Sequence, residues 1–414
     1  MRAAQPSVLI IVENLTVPLD RRVWQEATTL RDAGYTVSVI CPKGGSYQAG
    51  YERLEGIHVF RHAMPHEADG ALGYVIEYSA ALFWEFVLAW KVWAKVGFDV
   101  IQACNPPDTI FLIAGFFKLL MGKRFIFDHH DINPELYEAK FGKRGLLHRM
   151  LLWCERATFR TADVSIATNE TFKDIAVTRG GMDPDRVFVV RSIPELARFK
   201  RLAAEPSLKS GRQHLVGYVG IMGAQDGVDL LIEAMAEIVH GQGRRDMQCA
   251  IVGSGTEVDA LKALTIRHGL EDYVTFTGFL SGEPLMRALS TFDIGVIPDP
   301  LNTYNDKISM NKLFEYMVLG IPFVQFDLKE GRRTAGDAAL YARDNSAADL
   351  AGNILKLADN ALLRAELSER GQQRANRQLS WSREREQLLR AYALALGDAA
   401  PAPVRQPAFV PHTP

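Results

Sequence analysis

Short apolar runs alternate with helical stretches along almost the whole chain, and this alternation limits the fold more than any other feature. Runs of strand length fall at 8–12, 36–40, 57–60, 100–103, 124–127, 164–167 and 187–190, with helical stretches such as 21–33 and 146–161 among them. Near-continuous apolar strands separated by helices are what a parallel sheet covered on both faces requires. Residues 192–212 break the pattern with Pro194, Pro206 and mixed charge, and it then resumes. The second series has strands at 215–219, 248–252, 274–277, 294–297 and 322–326, with a helix at 228–240. At 414 residues the chain exceeds one ordinary core. The expectation is an α/β protein with two doubly wound parallel sheets. These are placed in domains 1–197 and 213–397, joined by a linker at 198–212, with a cleft facing the carboxyl ends of the strands. A last helix at 382–396 can pack back on the first domain. The tail 398–414, with five prolines, reads as disordered.

Composition removes several classes of function. Forty-eight per cent of the residues are hydrophobic, enough for packed interiors, and 47 basic against 49 acidic residues leave a net charge of −2. Neither half is strongly basic, so no nucleic-acid partner is expected. Cys41, Cys104, Cys154 and Cys249 are far apart and lack metal-type spacing, which fits reduced thiols of a cytoplasmic protein. No secretory signal is visible before the first apolar run. The stretch 71–96 is the most membrane-like. Glu77, Glu85, Lys91 and Lys95 interrupt it, so it reads as an amphipathic helix and not a span.

The segment NKLFEYMVLGIPFVQF at 311–326 carries the strongest chemical signal. Asn311 or Ser309 is placed to cap a helix that Gly320 and Pro322 end. A helix N-terminus presents free N–H groups and a positive dipole end, which suits a phosphate. Lys312 in the first turn opposes the dipole unless an anion is bound, and Glu315 lies one turn further on the same face. A carboxylate there can accept hydrogen bonds from the vicinal hydroxyls of a ribose. The pattern points to a nucleotide site.

From about Ser7 to Leu396 the chain resembles the family 4 glycosyltransferases, retaining enzymes of the two-Rossmann-domain GT-B architecture. The resemblance implies that the 311–317 helix start holds a donor diphosphate and that Glu315 holds the nucleotide ribose. It also implies a metal-independent transfer of a hexose-type sugar, with no cofactor beyond the nucleotide-sugar substrate. The acceptor would be a glycan or lipid-linked saccharide in cell-surface polysaccharide synthesis. The loop 217–227, with Gly220 and Gly223, matches the family's donor loop in position. The arginine and lysine that many members carry there are missing. The family's earlier, sugar-contacting glutamate is replaced by Lys307, which reads as a diphosphate contact, and the carboxylate is absent or displaced to Asp306. In this family His130, followed by Asp131, would contact the transferred sugar.

Other residues keep two readings. If the chain stays extended, His129 and His130 point in opposite directions, so at most one faces a site. Gly253 lies either beside the donor or at a point of tight packing. Glu330 is either a donor contact or part of an ordinary charged loop. Asp20 caps a helix whose first turn holds Arg21 and Arg22, either anion contacts or solvated surface residues. Between 139 and 160, Lys140, Lys143, Arg144, Arg149, Arg156 and Arg160 face a single acid, Glu155, among interleaved apolar residues. Such a stretch suits peripheral contact with an anionic inner membrane, or simply covers the sheet. Two other functions remain open: a non-catalytic subunit of a polysaccharide assembly complex, which the missing loop charges favour, and a nucleotide-sugar epimerase, which the basic stretch disfavours.

Overall fold

A computed structural model describes residues 5–63, 70–193 and 199–397, without the side chains of 70–78 and 378. The tail expected at 398–414 lies outside the described residues. Two compact units emerge. One comprises the chain up to Pro134, Gly145–Arg191 and the part from Ser382 on; the other comprises Glu135–Arg144 and Ser192–Trp381. The first unit thus ends at Arg191, takes back the C-terminal helix Trp381–Leu396 almost entirely, and gives up ten residues after Pro134.

The first unit contains β1 (Ser7–Ile11), β2 (Thr36–Pro42), β3 (Tyr51–Leu54), β4 (Ile57–His62), β5 (Val100–Cys104), β6 (Arg124–His129), β7 (Val164–Ala167) and β8 (Val187–Val189). They form one sheet in the order β3-β4-β2-β1-β5-β6-β7-β8, parallel except for β3. Every residue of β5 is buried, as are four of five in β1, so these central strands read as unbroken apolar runs. The sequence pattern misses β3. Its residues alternate exposed and half-buried at a sheet edge, so it has no apolar run to read.

The second unit contains β9 (His214–Ile221), β10 (Met247–Ser254), β11 (Val274–Gly278), β12 (Ile294–Ile297), β13 (Phe323–Phe326) and β14 (Ala339–Ala342). Their order is β11-β10-β9-β12-β13-β14, all parallel. From β9 the chain winds outward to β10 and β11, then returns beside β9 with β12 and winds the other way. A doubly wound sheet opens a crevice at such a reversal, beyond the carboxyl ends of the strands. The loops after β9 and β12 therefore flank the place where this unit can hold a ligand. Its core is one contiguous cluster that includes Leu215, Ile251, Leu289, Leu313, Phe314 and Val324, each at most 1% exposed.

Candidate active site

At the reversal point of the second unit, the chain enters the helix Asn311–Leu319. The cap position falls on Met310 and not on Asn311 or Ser309; the Met310 side chain makes no capping bond, and Asn311 is the first helical residue. Gly320 ends the helix in the left-handed conformation at φ 62°, as the glycine at that position suggests. Lys312 is buried, and its Nζ lies 2.9 and 3.2 Å from the two carboxylate oxygens of Asp299, just past the end of β12. The ammonium also sits 4.8 Å from the centre of the Tyr218 ring. Burial works against its charge, but Asp299, Tyr218 and Asp226 more than offset that and hold it protonated above the ordinary lysine range. Lys312 is therefore not a bare cation awaiting an anion but half of a buried ion pair. Glu315 is buried one turn on.

The loop after β9 is organised by its own acid. Asp226 accepts a hydrogen bond from the Gly223 N–H at 2.8 Å and lies 3.2 Å from the Gln225 amide nitrogen. Burial pushes its carboxyl up to about 6, against the pull of Lys312. The Asn305 amide ties this loop to the one after β12, donating to the Gln225 carbonyl at 2.9 Å and to the Pro300 carbonyl at 2.9 Å. Gly220, next to last in β9, pairs with Gly253 of β10, where a Cβ would stand 1.8 Å from the Gly220 carbonyl oxygen. Gly253, at φ 143°, thus serves the close approach of β9 and β10, the packing alternative of its two readings.

Several expected donor contacts are engaged elsewhere in the same unit. Lys307 pairs with Glu135 at 2.8 Å. Asp306 accepts the Lys329 N–H at 2.7 Å, at the start of the helix Lys329–Ala335. Glu330 is buried in that helix, with Arg333 at 2.9 Å. Arg144, a candidate for the acceptor side, is exposed and pairs with Glu138 at 2.9 Å.

In the first unit the strand end of β6 gathers a second polar cluster. His129 is fully buried and packs against the rings of Phe127, Phe159 and Phe172. His130 is the partly exposed member, as strand alternation requires, with Nε2 2.7 Å from Asp128 Oδ2 and 3.0 Å from Arg22 Nε. Its partner is Asp128, and the backbone of the neighbouring Asp131 is held by Asn105. Arg22 is neither a solvated arginine nor a free anion contact. It is buried, 2.8 Å from Asp128 and 3.2 Å from Glu26, and donates to the Val190 carbonyl at 2.7 Å. Asp20 caps this helix through the Val23 N–H, as expected, and Arg21 is exposed.

Burial opposes the charge on His130, but Asp128 outweighs it and raises the imidazole above its ordinary value. Burial also works against the Asp128 carboxylate, and Arg22 and His130 overcome it, holding it well below the usual range. Burial pushes Glu26 up to about 8, so the proton of this acid pair stays on Glu26. Cys104, Asp128 and His130 are close enough to share a cation. The Arg22 guanidinium already fills that role, and burial keeps the Cys104 thiol protonated.

The arrangement explains what sequence reading missed. Asp299, Asp226, Asp128 and Glu26 are scattered in sequence, and only the folding of each sheet brings them to Lys312 and Arg22. The one visible signal was position, since Asp299 and Asp128 lie at or just past the carboxyl ends of strands.

Two family models match the chain, Glycosyltransferase Family 4 over residues 19–192 and Glycosyl transferases group 1 over residues 213–360. The chain belongs to the family 4 glycosyltransferases. Its curated relatives include an alpha-D-kanosaminyltransferase of Streptomyces kanamyceticus, 26% identical over 52% of this chain and 56% of that protein. A 2-deoxystreptamine N-acetyl-D-glucosaminyltransferase of Streptomyces fradiae is 27% identical over 57% and 60%. The matched region thus spans just over half the length of these relatives. Among solved structures, sucrose-phosphate synthase from Thermosynechococcus elongatus superposes with a TM-score of 0.77 at 18% identity, covering 95% of this chain and all of that one. HepE of Anabaena, solved in complex with UDP, gives 0.67 at 15% identity over 93% and 98%. The fold class is GT-B.

Proposed function

We propose that this family 4 member is an enzyme that transfers a hexose-type sugar from a nucleoside-diphosphate donor to a glycan or lipid-linked saccharide, with retention and without a metal. The carrying observation is the second unit's reversal point, where Lys312, in the first turn of the Asn311–Leu319 helix with Glu315 one turn on, lies close to Tyr218 and Asp226 of the strand and loop that carry Gly220 and Gly223. Solved relatives of the same fold hold UDP or UDP-glucose, which supports a nucleotide-sugar donor. In this reading the ribose sits on Glu315. The departing diphosphate takes its stabilisation from the helix dipole and from Lys312, which turns part of its hold from Asp299 to the phosphate as charge develops on it. An incoming phosphate displaces Asp226 from the Gly223 N–H, which frees that amide for the donor. His130, held by Asp128 and Arg22, is assigned to the transferred sugar. The setting is the cytoplasmic side of a membrane on which cell-surface polysaccharide is built.

A non-catalytic subunit is the second reading. One observation favours it: an acid occupies the loop amide where many family members place basic charge. The discriminating experiment is incubation of the purified chain with UDP- and GDP-sugars, following release of the nucleoside diphosphate with and without saccharide acceptors. Release that requires His130 and Glu315 supports the transferase, and NMR of the product's anomeric proton reads retention. Nucleotide binding with no turnover across acceptors supports the subunit.

A further inference from the structure

We infer that the first unit docks on an anionic lipid surface through one composite face made by three neighbouring helices. These are Gly70–Lys95, Phe111–Met121 and Leu146–Thr161. Aromatic contacts align them side by side. Phe86 and Trp90 of the first meet Phe116 of the second at 5.1 and 5.9 Å, and Phe111 of the second meets Trp153 of the third at 5.9 Å.

Their outer surface is apolar to a degree that a soluble face rarely shows. Phe83 is 60% exposed, Leu119 86%, Leu120 70%, Leu146 83% and Trp153 63%, with Trp84 beside Phe83. Scattered single apolar residues are ordinary on a surface, but a continuous array marks an interaction site.

Charge selects the partner. Among the described side chains, the three helices hold two acids, and both point inward. Glu85 is fully buried, where burial pushes its carboxyl well above the ordinary range, and Glu155 is fully buried against Arg179 at 2.6 Å. The exposed charges are all positive; Lys91, Arg149, Arg156 and Arg160 are available to the surface, while the Lys95 ammonium lies over the Tyr51 ring. Indole and leucine side chains interleaved with lysine and arginine match the boundary of headgroup and acyl chain in an anionic bilayer. The basic stretch seen in the sequence is divided by the fold. Lys140, Lys143 and Arg144 belong to the second unit, while the membrane-like 71–96 stretch and the Phe111–Met121 helix, which the sequence did not mark, complete the surface. Among the described residues no helix is long and apolar enough to cross a membrane, so contact is from one side.

The inference stands on this surface and not on the transferase reading. Its test is flotation of the full chain with vesicles of phosphatidylcholine alone or mixed in equal parts with phosphatidylglycerol, at low salt. The expected result is flotation with the mixed vesicles only, with a blue shift of tryptophan emission. A triple variant, Leu119→Ser, Leu120→Ser and Trp153→Ser, should lose flotation while its melting temperature holds. Arg149→Glu and Arg156→Glu should each weaken binding about fivefold, the scale of one basic residue near an anionic surface. Folded wild-type chain that ignores the mixed vesicles overturns the inference, as does equal binding to neutral vesicles. So does a stable dimer in sedimentation velocity that the triple variant dissociates, since a second copy would then cover the face. A melting-temperature response to nucleoside diphosphate reads the donor site separately, so the two ideas fail independently.

Discussion

Asp226 is the residue on which the donor reading turns. It holds the Gly223 N–H that an incoming phosphate needs, beside the Lys312–Asp299 pair. Two unit charges about 4 Å apart interact by about 1 kcal/mol in water and by more in a half-buried place. Asp226→Asn is therefore expected to tighten nucleoside-diphosphate binding on the order of tenfold at pH 8, measured by calorimetry. The gain should shrink as the pH falls through about 6, where the wild-type carboxyl takes up its proton. Stability follows the same sign. The folded chain holds a proton that the unfolded chain, at its ordinary value of 3.8, has released. That contribution is full below about 3.8 and is lost as pH rises through about 6, so Asp226→Asn should melt higher than wild type at pH 8. An equal melting temperature at pH 8 would show that Asp226 is not under strain. The helix that carries Lys312 and Glu315 was legible from its apolar run and its glycine–proline stop, and their assignment to a donor rested on the family resemblance. The partners of Lys312 were not, because an ion pair between residues 299 and 312 depends on where β12 ends and not on any local pattern.

Helix and strand types were readable wherever burial is uniform, and the C-terminal stop at Gly320 shows why. A Cβ there would meet the Gln372 amide nitrogen at 2.6 Å and the Ser368 hydroxyl at 2.8 Å, in a left-handed backbone. Gly320→Ala should cost about 1–2 kcal/mol from the backbone conformation alone, seen as a lower denaturant midpoint. An unchanged midpoint would mean the helix end can relax. β3 escaped because an edge strand of alternating exposed and half-buried residues has no apolar run, and β14 because an apolar run as short as Ala339–Ala342 cannot be told from a helix segment by periodicity. The docking of the Trp381–Leu396 helix depends on contacts far apart in sequence. Its Tyr392 hydroxyl donates to the Gln102 side-chain oxygen, while the Gln102 nitrogen lies 2.6 Å from Glu26 and 2.9 Å from Asp128. Tyr392 thereby fixes which way the Gln102 amide faces. Tyr392→Phe leaves a buried acceptor unpaired and is expected to destabilise by about 1–3 kcal/mol in chemical denaturation. A loss below a few tenths of a kcal/mol would show that this bond does not hold the amide.

At the scale of the whole molecule, the double run of α/β alternation made the two α/β units legible, and the family resemblance supplied the GT-B class. Each unit is a doubly wound sheet whose polar clusters sit at the carboxyl ends of its strands, Lys312 with Asp299 in one and Arg22 with Asp128 in the other. The central claim is that the second unit holds a nucleoside diphosphate. Its most direct test is a thermal-shift titration with UDP, GDP, ADP and dTDP, run on wild type and on Glu315→Ala. A ligand that binds only the folded chain raises its melting temperature by mass action, by about 2.7 kcal/mol of stability at a hundredfold excess over Kd. The expected result is a saturable rise with one of the four diphosphates that Glu315→Ala abolishes. No rise with any of them, or a rise that Glu315→Ala leaves intact, would contradict the placement of the donor.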